Sequence, residues 1–162
     1  MVKDSRTREM KKLVSEALSR PFFQHDPPFA RLKEAKIGDP VALHDEDNKL
    51  HSWIVPLIFK DIVCGTVQVN SELEIMRVNS HCKDDEKTGG FNINFFKEPP
   101  KKLLDEVCEK YDILSQPILS FDRNPTRWGW RLTASVEGEE KKVFITPTGW
   151  YVRPKISNDI EG

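Results

Sequence analysis

The candidate zinc ligands of this chain are His44, His51, Cys64, His81 and Cys82. Imidazole and thiolate are the right donors. The spacing contains no Cys-x-x-Cys and no His-x-x-x-His, so no metal site is assigned. The histidines read as unrelated surface residues, although His44 and His51 flank a hairpin turn across which they could approach each other. A Cys82–His81 nucleophile pair is weak too, because adjacent residues rarely aim at one reacting atom and no helper donor is visible. Cys64, in a strand, and Cys108, on the apolar stripe of a helix, read as small core residues. Acid–base chemistry needs a carboxyl whose pKa is raised by burial. The carboxylate groups at Asp45–Asp47, Asp84–Glu86 and Glu139–Glu140 all fall in turn-like segments, where acids are hydrated. Asp45 to Asn48 lacks the spaced ligands and Gly of a calcium loop. Thr88-Gly-Gly90 lacks the Lys-Ser or Lys-Thr of a phosphate loop. No catalytic, cofactor-binding or metal-binding residue is therefore assigned.

The most unusual local chemistry is aromatic and basic. Arg127-Trp-Gly-Trp130 is followed by Trp150-Tyr-Val-Arg153. Trp53 and Trp130 read as core. Trp128, on the same strand face as Trp130, lies nearer a sheet edge. With Trp150 it could line a groove for a peptide or a flat ligand, and Arg127 or Arg153 would hold an anion. The competing reading is that all four tryptophans fill a core poor in other large side chains. Base stacking of single-stranded nucleic acid would suit such a platform. The charge does not: 25 basic against 26 acidic side chains leave a net charge of −1.

Two stretches that would position these residues line up at a fixed offset. Pro40, Asp45 and Trp53 match Pro117, Asp122 and Trp130, each 77 residues on. Upstream, Lys11 to Leu18 matches Lys101 to Cys108 at an offset of 90. Both have apolar residues at helical spacing: Met10, Leu13, Val14, Ala17 and Leu18 in the first, and Leu103, Leu104, Val107, Cys108 and Tyr111 in the second. Pro21 stops the first helix and Pro99-Pro100 leads into the second. Strand signals follow each helix. In the first half these are Val41 to His44, His51 to Phe59, Ile62 to Val69 and Leu73 to Val78. In the second they are Ile118 to Phe121, Trp128 to Val136, Lys141 to Thr146 and Trp150 to Arg153. Trp128, Trp130, Leu132, Ala134 and Val136 alternate with Arg131, Thr133, Ser135 and Glu137, as in a sheet with one buried and one wet face. In the first half Ile54, Pro56 and Ile58 break that alternation, so that strand is expected to be buried on both faces or to sit at an interface.

The expected fold class is α+β, an internal duplication of helix-plus-four-strand antiparallel units. Residues 1–79 form the first unit, with an insertion at 22–39 in which Arg31 to Lys36 makes a short helical turn. Residues 80–98 form a linker in which Phe91 to Phe96 adds a strand or docks across the junction. Residues 99–154 form the second unit, and 155–162 a frayed tail. The later strands match at offset 76, pairing Val67 with Val143, Val69 with Ile145 and Arg77 with Arg153.

A helix followed by a meander ending in Ile145-Thr-Pro-Thr-Gly-Trp150 resembles the PepSY family and related protease-propeptide modules. Trp53-Ile-Val-Pro-Leu57, then Gly65-Thr-Val-Gln-Val69, is similar in the first half, where Ser71-Glu72 replaces the Thr-Gly turn. The resemblance implies a non-catalytic module that binds or restrains a partner, often a peptidase. That family is mostly secreted or membrane-attached, whereas this N-terminus has no apolar leader, and no run approaches the roughly 20 apolar residues of a membrane span. Three cysteines argue against a disulfide framework. The expectation is a cytoplasmic binding or regulatory protein without cofactor. It would present a sheet face, edge or groove to a peptide or protein, with no nucleic-acid or membrane partner and with homo-oligomers left open. The alternative is a small-molecule-binding protein or enzyme that uses the Trp/Arg groove.

Overall fold

The computed structural model describes residues 2–20, 31–81 and 90–153. Part of the expected insertion (22–30), part of the linker with Cys82 (82–89) and the tail (155–162) lie outside the described residues. The chain divides into two compact units. The first falls within Met1–Leu43 and Leu50–Lys97, and the second within His44–Lys49 and Glu98–Gly162. Together they hold two α-helices and eleven strands, among the described residues, which makes the protein α+β.

In the first unit, α1 (Val2–Leu18) is free of Gly and Pro. It ends where Ser19 N–H bonds Ser15 O and Arg20 N–H bonds Ala17 O. A 3-10 turn (Arg31–Glu34) leads into β1 (Lys36–Ile37) and β2 (Val41–His44). Next come β3 (Leu50–Phe59), β4 (Ile62–Asn70) and β5 (Ile75–Ser80). The unit closes with β6 (Phe91–Asn92) and a 3-10 turn (Ile93–Phe96). β3 and β4 form a long antiparallel hairpin with Trp53 opposite Val69 and Val55 opposite Val67. Its two-residue turn, Lys60-Asp61, has φ of 48° and 68°, the left-handed conformation that suits the twist of a tight hairpin. Met10, Val14 and Leu18 of α1 pack with Val55, Leu57, Val67 and Val69 in one buried cluster. Each such side chain contributes about 1.5–3 kcal/mol when fully removed from water. The opposite face of the hairpin is buried as well: Ser52, Ile54, Thr66 and Gln68 are at most 2% exposed. The broken alternation at Ile54 and Pro56 has this cause, since a strand buried on both faces has no wet side to keep polar.

The second unit starts with α2 (Lys101–Lys110), which Pro100 caps and which ends at extended Tyr111. It continues with β7 (Asp112–Ile113), β8 (Ile118–Asp122), β9 (Asn124–Val136), β10 (Glu139–Ile145) and β11 (Trp150–Val152). Val107 packs with Leu132, Ala134, Val136, Val143 and Ile145, flanked by Trp130 and Trp150.

Three expectations need correction. The meander is not wholly antiparallel, because His44 pairs in parallel with Ser120 of β8. A tight turn forces its two strands antiparallel, but partners far apart in sequence are under no such constraint. The wet face expected opposite the second core is dry at Arg131, only 4% exposed, half-buried at Thr133 and Ser135, and exposed at Glu137. Finally, Cys108 is exposed, not core. At about 100° per residue it sits roughly 100° around the helix from the buried Val107, beyond the arc that faces the sheet.

Candidate functional site

Among the described residues the histidines and cysteines do not converge on a shared metal site. His44 Nδ1 lies 3.1 Å from Leu119 O, His51 Nδ1 3.0 Å from Ser52 Oγ, and His81 Nε2 3.0 Å from Thr66 Oγ1. His81 also packs edge-on against Phe91, and burial pushes its pKa below the ordinary 6.5. Among the described residues no three His, Cys, Asp or Glu side chains are placed to share a metal ion.

The four residues nominated from sequence fall on two faces of the second unit. Residues directly opposite each other on antiparallel strands point to the same side. Trp128 lies opposite Phe121, Trp130 opposite both Leu119 and Ile145, and Ile145 opposite Trp150. Trp128 and Trp150 therefore share the face that α2 covers. There Trp150 Nε1 donates to Glu106 Oε2 at 3.0 Å, its ring meets Tyr111 edge-on, and Lys110 Nζ sits 5.6 Å from the ring centroid. Arg127 and Arg153 belong to the other face, with Arg131 and Tyr151. The strand's period of two separates them from the tryptophans.

That second face holds a polar cluster. Asp122, 4% exposed, accepts from Tyr151 Oη at 2.7 Å and from Arg153 Nε at 2.9 Å. The Arg153 guanidinium also pairs with Glu46 and lies 5.2 Å above the Phe144 ring, which stacks on Tyr151. Arg131 donates to Asp45 O at 3.0 Å, to Ser120 Oγ at 2.9 Å and to Asn48 Oδ1. The turn is pre-shaped for this. Asp45 Oδ1 accepts from the N–H groups of Asp47 and Lys49, and Asn48 takes φ 65°. Burial, then the Arg153 charge, lowers the Arg131 pKa, and Glu46, Asp45 and Asp47 oppose that shift. Burial first, then the bond to Asp122 and its charge, raises the Tyr151 pKa above the ordinary tyrosine value. A phenol held protonated is a poor base or nucleophile, and Asp122 and Glu46 are both paired with Arg153. The cluster clamps the 44–49 turn. Sequence reasoning missed it because Arg131 sits in an alternation that ordinarily marks a solvated face.

Two features of the first unit are open to a ligand. One is the outer edge of β5. β4 pairs it on one side, with Val67 opposite Val78 and Gln68 opposite Arg77. On the other side no strand pairs it among the described residues. Met76, on this strand, is 39% exposed. The other is a groove of about 660 Å3 bounded by α1, the 36–41 strip, the Lys60-Asp61 turn and the 93–97 segment. Gly38 presses the strip against β3: its N–H donates to Pro56 O at 2.8 Å, and a Cβ there would meet Ile58 and Pro56 side chains at 2.8 Å.

No helix among the described residues is long and apolar enough to cross a membrane. Compared with known families, curated proteins and solved structures, this chain has no match in any of the three.

Proposed function

We propose that this is a non-enzymatic binding or regulatory protein that captures an extended peptide segment of a partner by adding it to β5. The observation that carries the reading is the outer edge of that strand, which no strand among the described residues pairs. An exposed edge offers a row of backbone donors and acceptors, and natural proteins usually block one with Lys, Pro or a short strand. β5 is six residues long and reads Ile-Met-Arg-Val-Asn-Ser, with neither Lys nor Pro. The edge at β11 is only three residues long, too short to hold a peptide firmly. Strand addition draws affinity from the main chain and selectivity from alternate side chains, so an exposed Met76 suits an apolar residue of the incoming strand. A single ligand held jointly by Trp128, Trp150, Arg127 and Arg153 is not favoured, because those side chains lie on two faces and Arg153 is engaged by Asp122 and Glu46.

We also read the two units as copies of one ancestral unit. Support comes from register. Trp53 opposite Val69 corresponds to Trp130 opposite Ile145, and Ile37 opposite Leu57 corresponds to Ile113 opposite Ala134. The left-handed turn Lys60-Asp61 corresponds to Glu137-Gly138. The last strands depart from the alignment: Val78 and Val152 hold equivalent places opposite Val67 and Val143, not Arg77 and Arg153. A module that restrains a peptidase, as the PepSY resemblance implies, is the narrower form of the same proposal.

The test is selection from a displayed library of random extended peptides, followed by hydrogen exchange of the complex. Enriched peptides should slow exchange of amides within 75–80, and Met76→Lys should weaken them about tenfold, or ~1.4 kcal/mol. Absence of enrichment, or protection confined to other segments, would overturn the reading.

A further inference from the structure

The groove of the first unit has a chemical character that β5 lacks. Its floor is apolar, formed by Ile37, Ile58, Ile93 and the buried Phe96. Its rim carries Lys11, Lys36, Lys60 and Lys97 against Asp39 and Asp61. Lys11 is already neutralised, with its Nζ 2.7 Å from Asp39 Oδ1. Lys36, Lys60 and Lys97 are exposed, and no carboxylate lies within ion-pair distance of them among the described residues. Three ammonium groups against the one remaining carboxylate, Asp61, leave an excess of two positive charges around an apolar trough, in a chain whose overall charge is −1. Local charge of one sign over low-dielectric walls concentrates the opposite ion. The cavity volume falls in the range of small-molecule sites, roughly 300–1,000 Å3, in which an apolar lining supplies affinity and a few polar groups fix orientation.

The backbone holds the rim in place. Lys60 and Asp61 occupy the rigid left-handed hairpin turn, and Asp61 O accepts the N–H of Ile93 at 2.9 Å, which ties the 93–97 segment to that turn. Asn92 Oδ1 takes the N–H of Asn94, and Lys97 N–H bonds Asn94 O, which ends the 3-10 turn beside the groove. Phe91, Phe95 and Phe96 pack edge-on against one another beneath it. Lys36 is set by the β1–β3 pair, opposite Ile58. The charged groups therefore project from three anchored elements.

We infer that this groove is a binding site for a small amphipathic anion, a molecule with a carboxylate, phosphate or sulfonate head and an apolar body of aromatic or short-acyl size. The head would lie among Lys36, Lys60 and Lys97, and the body on Ile37, Ile58 and Phe96. Ammonium groups are point charges without the planar fork of arginine, so the site selects for charge and shape and does not demand one head-group geometry. The site stands apart from the β5 reading in both residues and chemistry, and either can fail without the other.

The experiment uses two fluorescent probes of similar body: 1-anilino-8-naphthalenesulfonate, which carries the anion, and neutral N-phenyl-1-naphthylamine. The whole folded chain should bind one sulfonate probe per molecule, and dodecanoate should displace it. Raising NaCl from 0.05 to 0.5 M should weaken binding several-fold. Lys36→Glu and Lys97→Glu together should weaken it about tenfold or more and leave the neutral probe unchanged. Unaltered binding of the neutral probe also shows that the double variant remains folded. Equal affinity of wild type for both probes would overturn the proposal. So would sulfonate binding indifferent to the two substitutions, or none at millimolar concentration.

Discussion

Asp122→Ala is the sharpest test of how the second unit is held together. Asp122 is 4% exposed and accepts from Tyr151 Oη and Arg153 Nε. Removing one partner of a buried ion pair costs about 3–5 kcal/mol, because the other charge is left without compensation. The Arg153 side chain is 17% exposed and keeps Glu46, so the lower end, about 3 kcal/mol, applies. Tyr151→Phe removes one hydrogen bond to a charged acceptor, worth about 1.5–3 kcal/mol. In the Asp122→Ala background that hydroxyl has already lost its acceptor, so the two changes should couple by about 1.5 kcal/mol. Urea unfolding measures this. A Trp53→Phe background leaves tryptophan emission to Trp128, Trp130 and Trp150, all in the second unit. The cycle then reads one cooperative transition. A titration adds an independent check. The chain has two tyrosines, so Tyr111→Phe isolates Tyr151 for absorbance at high pH. Its raised pKa means that the unfolded chain loses the phenolic proton first. The stability it contributes is therefore intact below about pH 10 and declines above it. Asp122→Asn should move that ionisation back down toward 10. A cost below about 1 kcal/mol for Asp122→Ala, or additive single changes, would refute the reasoning.

Three further outcomes are expected. His81, whose pKa burial depresses, should stay neutral while the unfolded chain takes up a proton below pH 6.5. Stability should then fall with acid by up to about 1.4 kcal/mol per pH unit, and denaturation at pH 7.5 and 5.5 should show His81→Asn to be less pH-dependent than wild type. Gly129→Ala would bring a Cβ within 2.8 Å of Ile145 O, whereas one at Gly149 meets nothing within 4 Å. The first should cost about 1–3 kcal/mol and the second within about 0.5 in the same unfolding assay. In a Cys82→Ser background, a thiol reagent should label exposed Cys108 at once and buried Cys64 only on unfolding. Equal rates at the two sites would contradict the assigned burial.

Helix and strand positions were legible because they depend on local periodicity. Leu13, Val14, Ala17 and Leu18 can only line one face of a helix, and Leu132, Ala134 and Val136 only one face of a strand. The α+β class follows from those patterns alone. So does the placement of Trp53 and Trp130 beside the two cores, since each lies two residues from a buried Val55 or Leu132.

What alternation cannot reveal is what covers the far face of a strand. Arg131 reads as solvated until the turn at 45–48, more than eighty residues earlier in the chain, is laid over it and supplies Asp45 O and Asn48. Trp150 and Arg153 look like neighbours in a motif. A spacing of three along a strand puts them on opposite sides, one under α2 and the other against Asp122. The lysines of the groove are separated by as many as 86 positions, from Lys11 to Lys97, and only the packing of α1, β1 and the 3-10 turn brings them around one apolar floor. The sequence by itself determined the elements and their cores, because those follow from neighbours a few residues apart. Tertiary structure decided which charges are buried, which are paired and which are left free, because those depend on partners that are close only after folding.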